Sequence, residues 1–368
     1  MSNVKRLIES DRNWLSTLRD TYKISVAEDG DLVSLKYNQI ESPMDEPIVQ
    51  ECRGMVVDVP NGRILAHPYN KFWNHGDRLA AEIDWESARV LEKLDGSLMI
   101  LYWDPNAERW SVASSGTPRG SGTFGDNEGE TFGQAFWRTF EALEMRLPRM
   151  IDTRSITFCF EFCDQPNRIV VKHDRPRIVL HGGRDISSGI ELDRCQLELI
   201  SSALDWELVN EYPLASISDC LAAAESLDPI QCEGFIVVDA QFNRIKIKSP
   251  RYVILHHMKG EASLRRSIEL WQTGESAELL LHFPEMGPQI LPVHDRLDAL
   301  AEEAAILASF HADLDRKSFA EHVKDTPHAP VAFKLYGVRG KQSSADDAKA
   351  IMRAQTIQSL ERMLERAA

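Results

Sequence analysis

The period of the apolar residues changes once along this 368-residue chain, and that change limits it to an α+β architecture followed by helices. In an amphipathic start, Val4, Leu7, Ile8, Trp14, Leu15 and Leu18 recur at helical spacing. After Gly30, apolar and polar residues alternate to about Val253, which predicts antiparallel sheets. Helices are expected to interrupt them over residues 130–147 and near 217–224. Beyond His256 the period becomes helical, with Leu300, Ala304, Leu307 and Leu314 on one stripe. A last helix is expected from Ser344, whose Ser-x-x-Asp spacing to Asp347 fits a capping box, carrying Ile351, Ile357, Leu360 and Leu364. The expected division is residues 1–255 and 256–368.

A content of 43% hydrophobic and 27% charged residues is that of a globular chain and excludes a disordered one. The first residues lack an apolar signal core, and no run approaches the roughly 18 apolar residues of a membrane span. The expectation is a cytoplasmic protein with no membrane partner. The six cysteines show no Cys-x-x-Cys pair and read as reduced core residues. A net charge of −15 excludes broad coating of nucleic acid, so any such binding has to be confined to a local basic groove. Seven of the eleven histidines lie from His256 onward without metal-ligand spacing, and the surroundings of Glu275 and Glu278 leave a ligand there open.

The chemistry is concentrated in short segments. Leu91-Glu92-Lys93-Leu94-Asp95-Gly96-Ser97 lies between apolar runs and reads as two strands joined at Asp95-Gly96, with Lys93 at a strand end. Alone, it fits a solvated turn as well as a nucleophile. Phe235 to Asp239 and Arg244 to Lys248 read as a hairpin whose alternation sets Lys246 and Lys248 on one face, Ile245 and Ile247 on the other. Two adjacent ammonium groups suit a phosphate between them or a solvated edge strand. In Ile156 to Phe162 the aromatics share one face and Glu161 takes the other, while Glu233 opens a strand before Gly234. Either glutamate also fits a surface position. Arg53 and Lys71 suit a polyphosphate tail or an ordinary strand-edge ion pair.

Together these segments resemble the motifs of covalent nucleotidyltransferases, most closely the bacteriophage RNA ligase 1 family. The blocks stand in that family's order: Glu51-Cys52-Arg53-Gly54, Lys71-Phe72-Trp73-Asn74, Lys93-x-Asp95-Gly96-Ser97, Phe160-Glu161-Phe162 and Asn167-Arg168-Ile169-Val170-Val171. Glu233-Gly234-Phe235 and Lys246-Ile247-Lys248-Ser249 with Tyr252-Val253 complete the set. The similarity runs from about Tyr37 to His256. It then thins to Arg316-Lys317-Ser318-Phe319-Ala320 and the stretch from Val331 to Tyr336.

The resemblance implies an α+β nucleotidyltransferase domain, an ATP-grasp-like ligase core, over 1–255, and an all-helical domain selecting the RNA substrate over 256–368. It implies ATP-dependent joining of 5′-phosphate and 3′-hydroxyl RNA ends through lysyl-AMP and adenylylated RNA. Lys93 is then the nucleophile and Lys246 and Lys248 stabilise the α-phosphate. Arg53 and Lys71 grip the outer phosphates, Tyr37 contacts the nucleotide, and Glu161 binds the ribose or orders the site. Glu233 engages the divalent metal, magnesium or manganese, and Tyr252 serves ligation. An amine attacks only when neutral, so cations near Lys93 are expected. The implied partners are single-stranded RNA ends, cleaved transfer RNA among them. With no kinase P-loop in the sequence, a separate polynucleotide kinase and phosphatase would prepare those ends. One departure stands out: where the family carries Lys-Gly-Ser, this chain has Ser115-Gly116-Thr117, and Arg119 is the nearest substitute cation. A capping-type transferase and a non-catalytic RNA-end-binding protein are the alternatives.

Overall fold

Alternating strands from Ile24 onward build three sheets in the computed structural model. It describes residues 2–125, 129–167, 169–258, 264–277, 280, 286–337 and 343–367. They divide into two compact units, Met1–Asn38 with Ser42–His256, and Gln39–Glu41 with His257–Ala368. The amphipathic start forms two helices, α1 (Asn3–Ser10) and α2 (Trp14–Asp20), broken where Asp11 accepts hydrogen bonds from the Asn13 N–H and the Thr17 hydroxyl. The first sheet follows: β1 (Ile24–Asp29), β2 (Leu32–Tyr37), β3 (Arg53–Asp58) and β4 (Arg63–Ala66), paired in order and antiparallel. The short helix α3 (Pro47–Glu51) precedes β3. Val33, Leu35, Met55 and Val57 pack on Val4, Trp14 and Leu18 of the starting helices. Leu32, Val56 and Leu65 face the other way, onto Ile100 and Tyr102. Burial on both faces explains why this sheet carries so few polar positions.

The next strands are β5 (Trp73–Asn74), β6 (Arg89–Lys93), β7 (Ser97–Asp104), β8 (Arg109–Ser114), β9 (Ile156–Cys163) and β10 (Arg177–Asp185). After them come β11 (Glu207–Leu208), β12 (Glu211–Tyr212), β13 (Gly234–Val238) and β14 (Arg244–Lys248). They form two five-stranded sheets, β11-β10-β9-β7-β8 and β12-β6-β13-β14-β5. All pairs are antiparallel except the two-residue edges β10 with β11 and β14 with β5. Phe158, Phe160 and Phe162 of β9 turn to a core that also takes Phe136 and Phe140 from α4 (Phe132–Ala142) and Leu197 from α5 (Arg194–Leu204). The expected sidedness of β9 and of the β13–β14 hairpin is present, with Ile245 and Ile247 buried and the lysines opposite.

Four expectations need correction. Helix α4 stops at Ala142, short of the expected 147, before Glu144 at φ 54° and Pro148, whose ring disfavours helix in the residue before it. Helix α5 was not expected, although its Asp193-x-x-Gln196 capping box stands in the sequence. Near the expected 217–224, α6 (Ile217–Ser226) runs slightly longer. Strand alternation does not reach Val253, since Pro250 opens α7 (Pro250–Met258) and Tyr252 lies on a helix.

The second unit is helical in its described residues apart from the 39–41 segment. It comprises α8 (Leu264–Thr273), α9 (Gly287–Phe310), α10 (Arg316–Val323), α11 (Ala329–Tyr336), α12 (Ala345–Arg353) and α13 (Ile357–Ala367). Leu300 and Ala304 are buried in its core with Trp271, Leu335, Met352 and Leu360, while Leu314 lies past the end of α9. The Ser344 capping box forms as expected. The single last helix is instead two, because the α12 ladder ends at Ala354 and Thr356 starts a new turn. Phe319 stacks on Tyr336 at 4.1 Å, which joins the two segments that carry the residual similarity. Among the described residues, no helix is long and apolar enough to cross a membrane.

Candidate active site

Strand β6 ends at Lys93, opposite Gly234 on β13, which lies opposite Lys248 on β14. At Gly234, φ is 149° and an added Cβ would stand 2.1 Å from the Ile247 carbonyl oxygen, so only glycine lets these strands approach. The sequence suggests that this glycine admits a ligand; here it admits a neighbouring strand. Glu233, just before it, places its buried carboxylate 2.5 Å from Lys93 Nζ and 3.9 Å from Lys248 Nζ.

The expected hairpin at Asp95-Gly96 does not form. Strands β6 and β7 belong to different sheets, and Asp95-Gly96 carries the chain between them. Gly96 is required by closeness, since a Cβ there would meet the Phe162 carbonyl oxygen at 2.5 Å. Asp95 is buried, and its Oδ2 accepts from the N–H groups of Val170 (2.8 Å) and Val171 (2.7 Å). Its Oδ1 accepts from the Tyr252 hydroxyl at 2.9 Å, and its carbonyl from His173 Nε2 at 2.8 Å. The Asn167 amide donates to Ser97 Oγ at 2.6 Å. Two distant motif blocks therefore clamp the segment that carries Lys93. Tyr252, expected among the catalytic residues, is 2% exposed and stands behind that segment, outside the cavity lining. Arg168 of the Asn167 block lies outside the described residues, as does Glu278.

Lys93, Arg53, Glu161 and Lys246 line one cavity of about 170 Å³, with apolar walls from Leu91, Leu94, Leu98, Val209 and Ile236. Burial, then the charges of Lys71, Lys93, Arg53 and Lys248, hold Lys246 well below the ordinary lysine range. Arg53 packs its guanidinium 4.9 Å from the Phe72 ring centre, and its buried Nη1 has no hydrogen-bond partner. Lys71 Nζ lies 4.8 Å from the centre of the Tyr37 ring and lines an adjoining cavity of about 550 Å³ with Phe72 and Arg244. A ring of cations around an unsatisfied buried donor is a place for a polyanion, and a nucleoside triphosphate fits that donor set.

Glu161 faces the cavity as its strand alternation predicts. Burial pushes its carboxyl up to about 7 from an ordinary 4.5; the Lys93 ammonium opposes this and the Glu233 carboxylate adds to it. Between those two values the folded protein keeps a proton that the unfolded chain has lost. Stability therefore falls as pH rises through the window, and the loss is complete above it. Glu161→Gln is expected to raise the melting temperature at pH 8 by roughly a few degrees and to change it little at pH 5. Equal shifts at both pH values in thermal melts would contradict this.

The Ser115 loop departs from expectation. Arg119 donates through Nη1 to the Asp29 carbonyl and carboxylate, both at 2.8 Å, and is thus committed to β1. The cation beside Ser115 is Lys36, whose Nζ donates to Ser115 Oγ at 3.3 Å. Sequence reasoning missed Lys36, and it also missed Tyr69, His181 and Arg244 in the cavity wall. Arg244 had a signal, since it shares the β14 face with Lys246 and Lys248. His181 had none. Its Nδ1 lies 2.5 Å from the Tyr69 hydroxyl, and burial pushes its imidazole down to about 3. It is therefore neutral, and its 3.6 Å approach to Glu161 is not an ion pair. For the expected metal, the available oxygens in the wall are Glu161 and Glu233. Among the described residues no group of three or more His, Cys, Asp or Glu side chains is placed to hold an ion.

Comparison with known proteins agrees with this arrangement. A baculovirus protein, from Autographa californica nuclear polyhedrosis virus and provisionally named a bifunctional polynucleotide kinase/RNA ligase, is 25% identical over 360 residues, 91% of this chain and 49% of its own length. The RNA ligase of Rhodothermus phage RM378 is 23% identical over 312 residues, 68% of this chain and 70% of the phage protein. An archaeal ATP-dependent RNA ligase structure superposes with a TM-score of 0.45 at 14% identity, covering 100% of this chain and 81% of that one. The chain thus spans about half the length of the baculovirus relative. The profile of the RNA ligase family matches residues 51–252, more than half of the 368 residues. Because that match takes in the site from the Arg53 strand to Tyr252, the chain belongs to the RNA ligase family of the phage RNA ligase 1 type.

Proposed function

We propose that this protein is an ATP-dependent RNA ligase that joins 5′-phosphate and 3′-hydroxyl RNA ends. The observation that carries this reading is Lys93 held at a strand end inside a cation-lined cavity, with Glu233 2.5 Å from its Nζ. Lys93 Nζ bonds to the α-phosphorus of ATP and the bond to the pyrophosphate leaving group breaks. Glu233 is the carboxylate within reach of the amine proton. Lys246 and Lys248 balance charge on the α-phosphate, while Arg53 and Lys71 orient the departing pyrophosphate. Lys246 gains a partner for its charge when that anion binds, which reverses its depressed affinity for a proton. A divalent cation, with magnesium the expected ion, would draw oxygens from Glu161, Glu233 and the nucleotide and supply further charge neutralisation. An RNA 5′-phosphate oxygen then attacks the lysyl-adenylate, freeing Lys93, and a 3′-hydroxyl displaces AMP to close the strand.

Cleaved cytoplasmic transfer RNA is the substrate we favour, with a separate kinase and phosphatase preparing its ends. The helical unit would then select the RNA.

The test is to incubate the protein with α-labelled ATP and magnesium, then add single-stranded RNA bearing a 5′-phosphate. Label is expected on the protein, then on the RNA, then released as AMP while closed circles accumulate. Label that never leaves the protein contradicts a ligase, and label from GTP in place of ATP points to a capping-type transferase.

A further inference from the structure

Lys5, Arg63, Arg154 and Arg184 line a groove of about 760 Å³ on the unit that carries Lys93. The carboxylate in its wall, Glu51, is already used: it accepts from the N–H groups of Asn3 and Val4 and from the Asn3 amide. In a chain of net charge −15, four cations gathered on one groove run against the average. At its base Arg184 is 8% exposed. Its Nη2 donates to Glu191 Oε1 at 2.8 Å, but Glu191 Oε2 also holds Arg244 at 2.5 Å. One carboxylate thus serves two guanidinium groups, and the buried trio keeps an excess positive charge. Nη1 donates to His67, which adds no charge because burial pushes its imidazole down to about 3. Arg184 Nε is buried without a hydrogen-bond partner. A buried donor on an uncompensated cation is costly unless an anion meets it.

The rim offers a second kind of contact. The Arg154 guanidinium lies 4.0 Å from the Trp103 ring centre, a stacked planar cation on which a base can lie. Asn70, Arg184 and Gly189 line both this groove and the cavity that holds Lys71, and Phe72 and Arg244 line both that cavity and the one holding Lys93. The groove and the reacting lysine are therefore separated by shared walls only.

We propose that this groove binds the backbone of a single-stranded RNA, with a phosphodiester against Arg184 and Arg63 and a base on Arg154. This rests on the ligase reading for the nature of the ligand. The experiment measures binding of a labelled single-stranded oligoribonucleotide by anisotropy across a salt series, for the full chain and for Arg63→Ala/Arg154→Ala. Both side chains are exposed, so the fold is undisturbed. Affinity is expected to fall about tenfold and the slope of log affinity against log salt by about 1.4, from two lost phosphate contacts at about 0.7 each. Labelling of Lys93 by α-labelled ATP should be unchanged. Unaltered affinity and slope overturn the groove, as does an equal loss in the control Arg109→Ala/Arg149→Ala. Normal labelling with unmoved RNA binding refutes the groove alone. Reduced RNA binding in a protein that never takes label refutes the ligase reading alone.

Discussion

Lys93→Ala is expected to take up no label from α-labelled ATP while folding as the parent does. Two features support an effect confined to chemistry. Lys93 closes β6, and its pairing opposite Gly234 is made by the backbone, which alanine keeps. The buried Glu233 carboxylate is not orphaned either, since Lys248 Nζ stands 3.9 Å from its other oxygen. Removing a nucleophile leaves only the background rate, so a fall of at least about four orders of magnitude is expected. Lys93→Arg should be as inert, because a guanidinium keeps its charge and offers no lone pair. Sealing of RNA that is already adenylylated should survive in both variants, because that step no longer needs the lysine as a carrier. Gel autoradiography with a thermal melt separates these readouts, and substantial label on either variant would place the nucleophile elsewhere.

Asp95→Ala should be the most destabilising change near the site. It leaves the N–H groups of Val170 and Val171 and the Tyr252 hydroxyl without their acceptor, all in buried surroundings. At about 1–3 kcal/mol for each stranded donor, and allowing for partial relaxation, a loss of about 3–6 kcal/mol is expected in denaturant unfolding. Asp95→Asn should cost far less, because an amide oxygen still accepts from the two N–H groups and the amide nitrogen can donate to the Tyr252 oxygen. Tyr252→Phe removes one charge-assisted bond and should fall between the two. Each of these variants should slow label uptake in the same order, since Tyr252 acts through the segment that presents Lys93. A Tyr252→Phe enzyme that folds normally and takes label at the parent rate, yet cannot seal RNA, would show that the hydroxyl serves a later step directly.

Much of the site could be read from local pattern. Alternation along β14 correctly set Lys246 and Lys248 opposite the core, and alternation along β9 set Glu161 opposite the phenylalanines. Both depend on a period of two within a few residues, which no distant contact alters. Misreadings arose where a local signal has two physical meanings. Asp-Gly marks a tight turn when the flanking strands pair, but here the glycine is small because Phe162 passes it in the next strand. Gly234 is likewise explained by a neighbouring strand. Tyr252 stood beyond an apparent strand because Pro250 reads as a strand breaker and as a first helical residue alike.

By itself, then, the sequence determined the α+β unit, the helical unit after it, the strand-end lysine and the sidedness of its cationic neighbours. Each is written in short-range periodicity and in side-chain chemistry. Only the tertiary structure decided what those residues meet. Asp95 finds Val170, Val171 and Tyr252; Ser115 finds Lys36; Arg184 shares Glu191 with Arg244. These partners are far apart in the chain, and no pairwise rule of spacing brings them together. Packing of the three sheets does, because burying their apolar faces fixes which polar side chains are left facing one another.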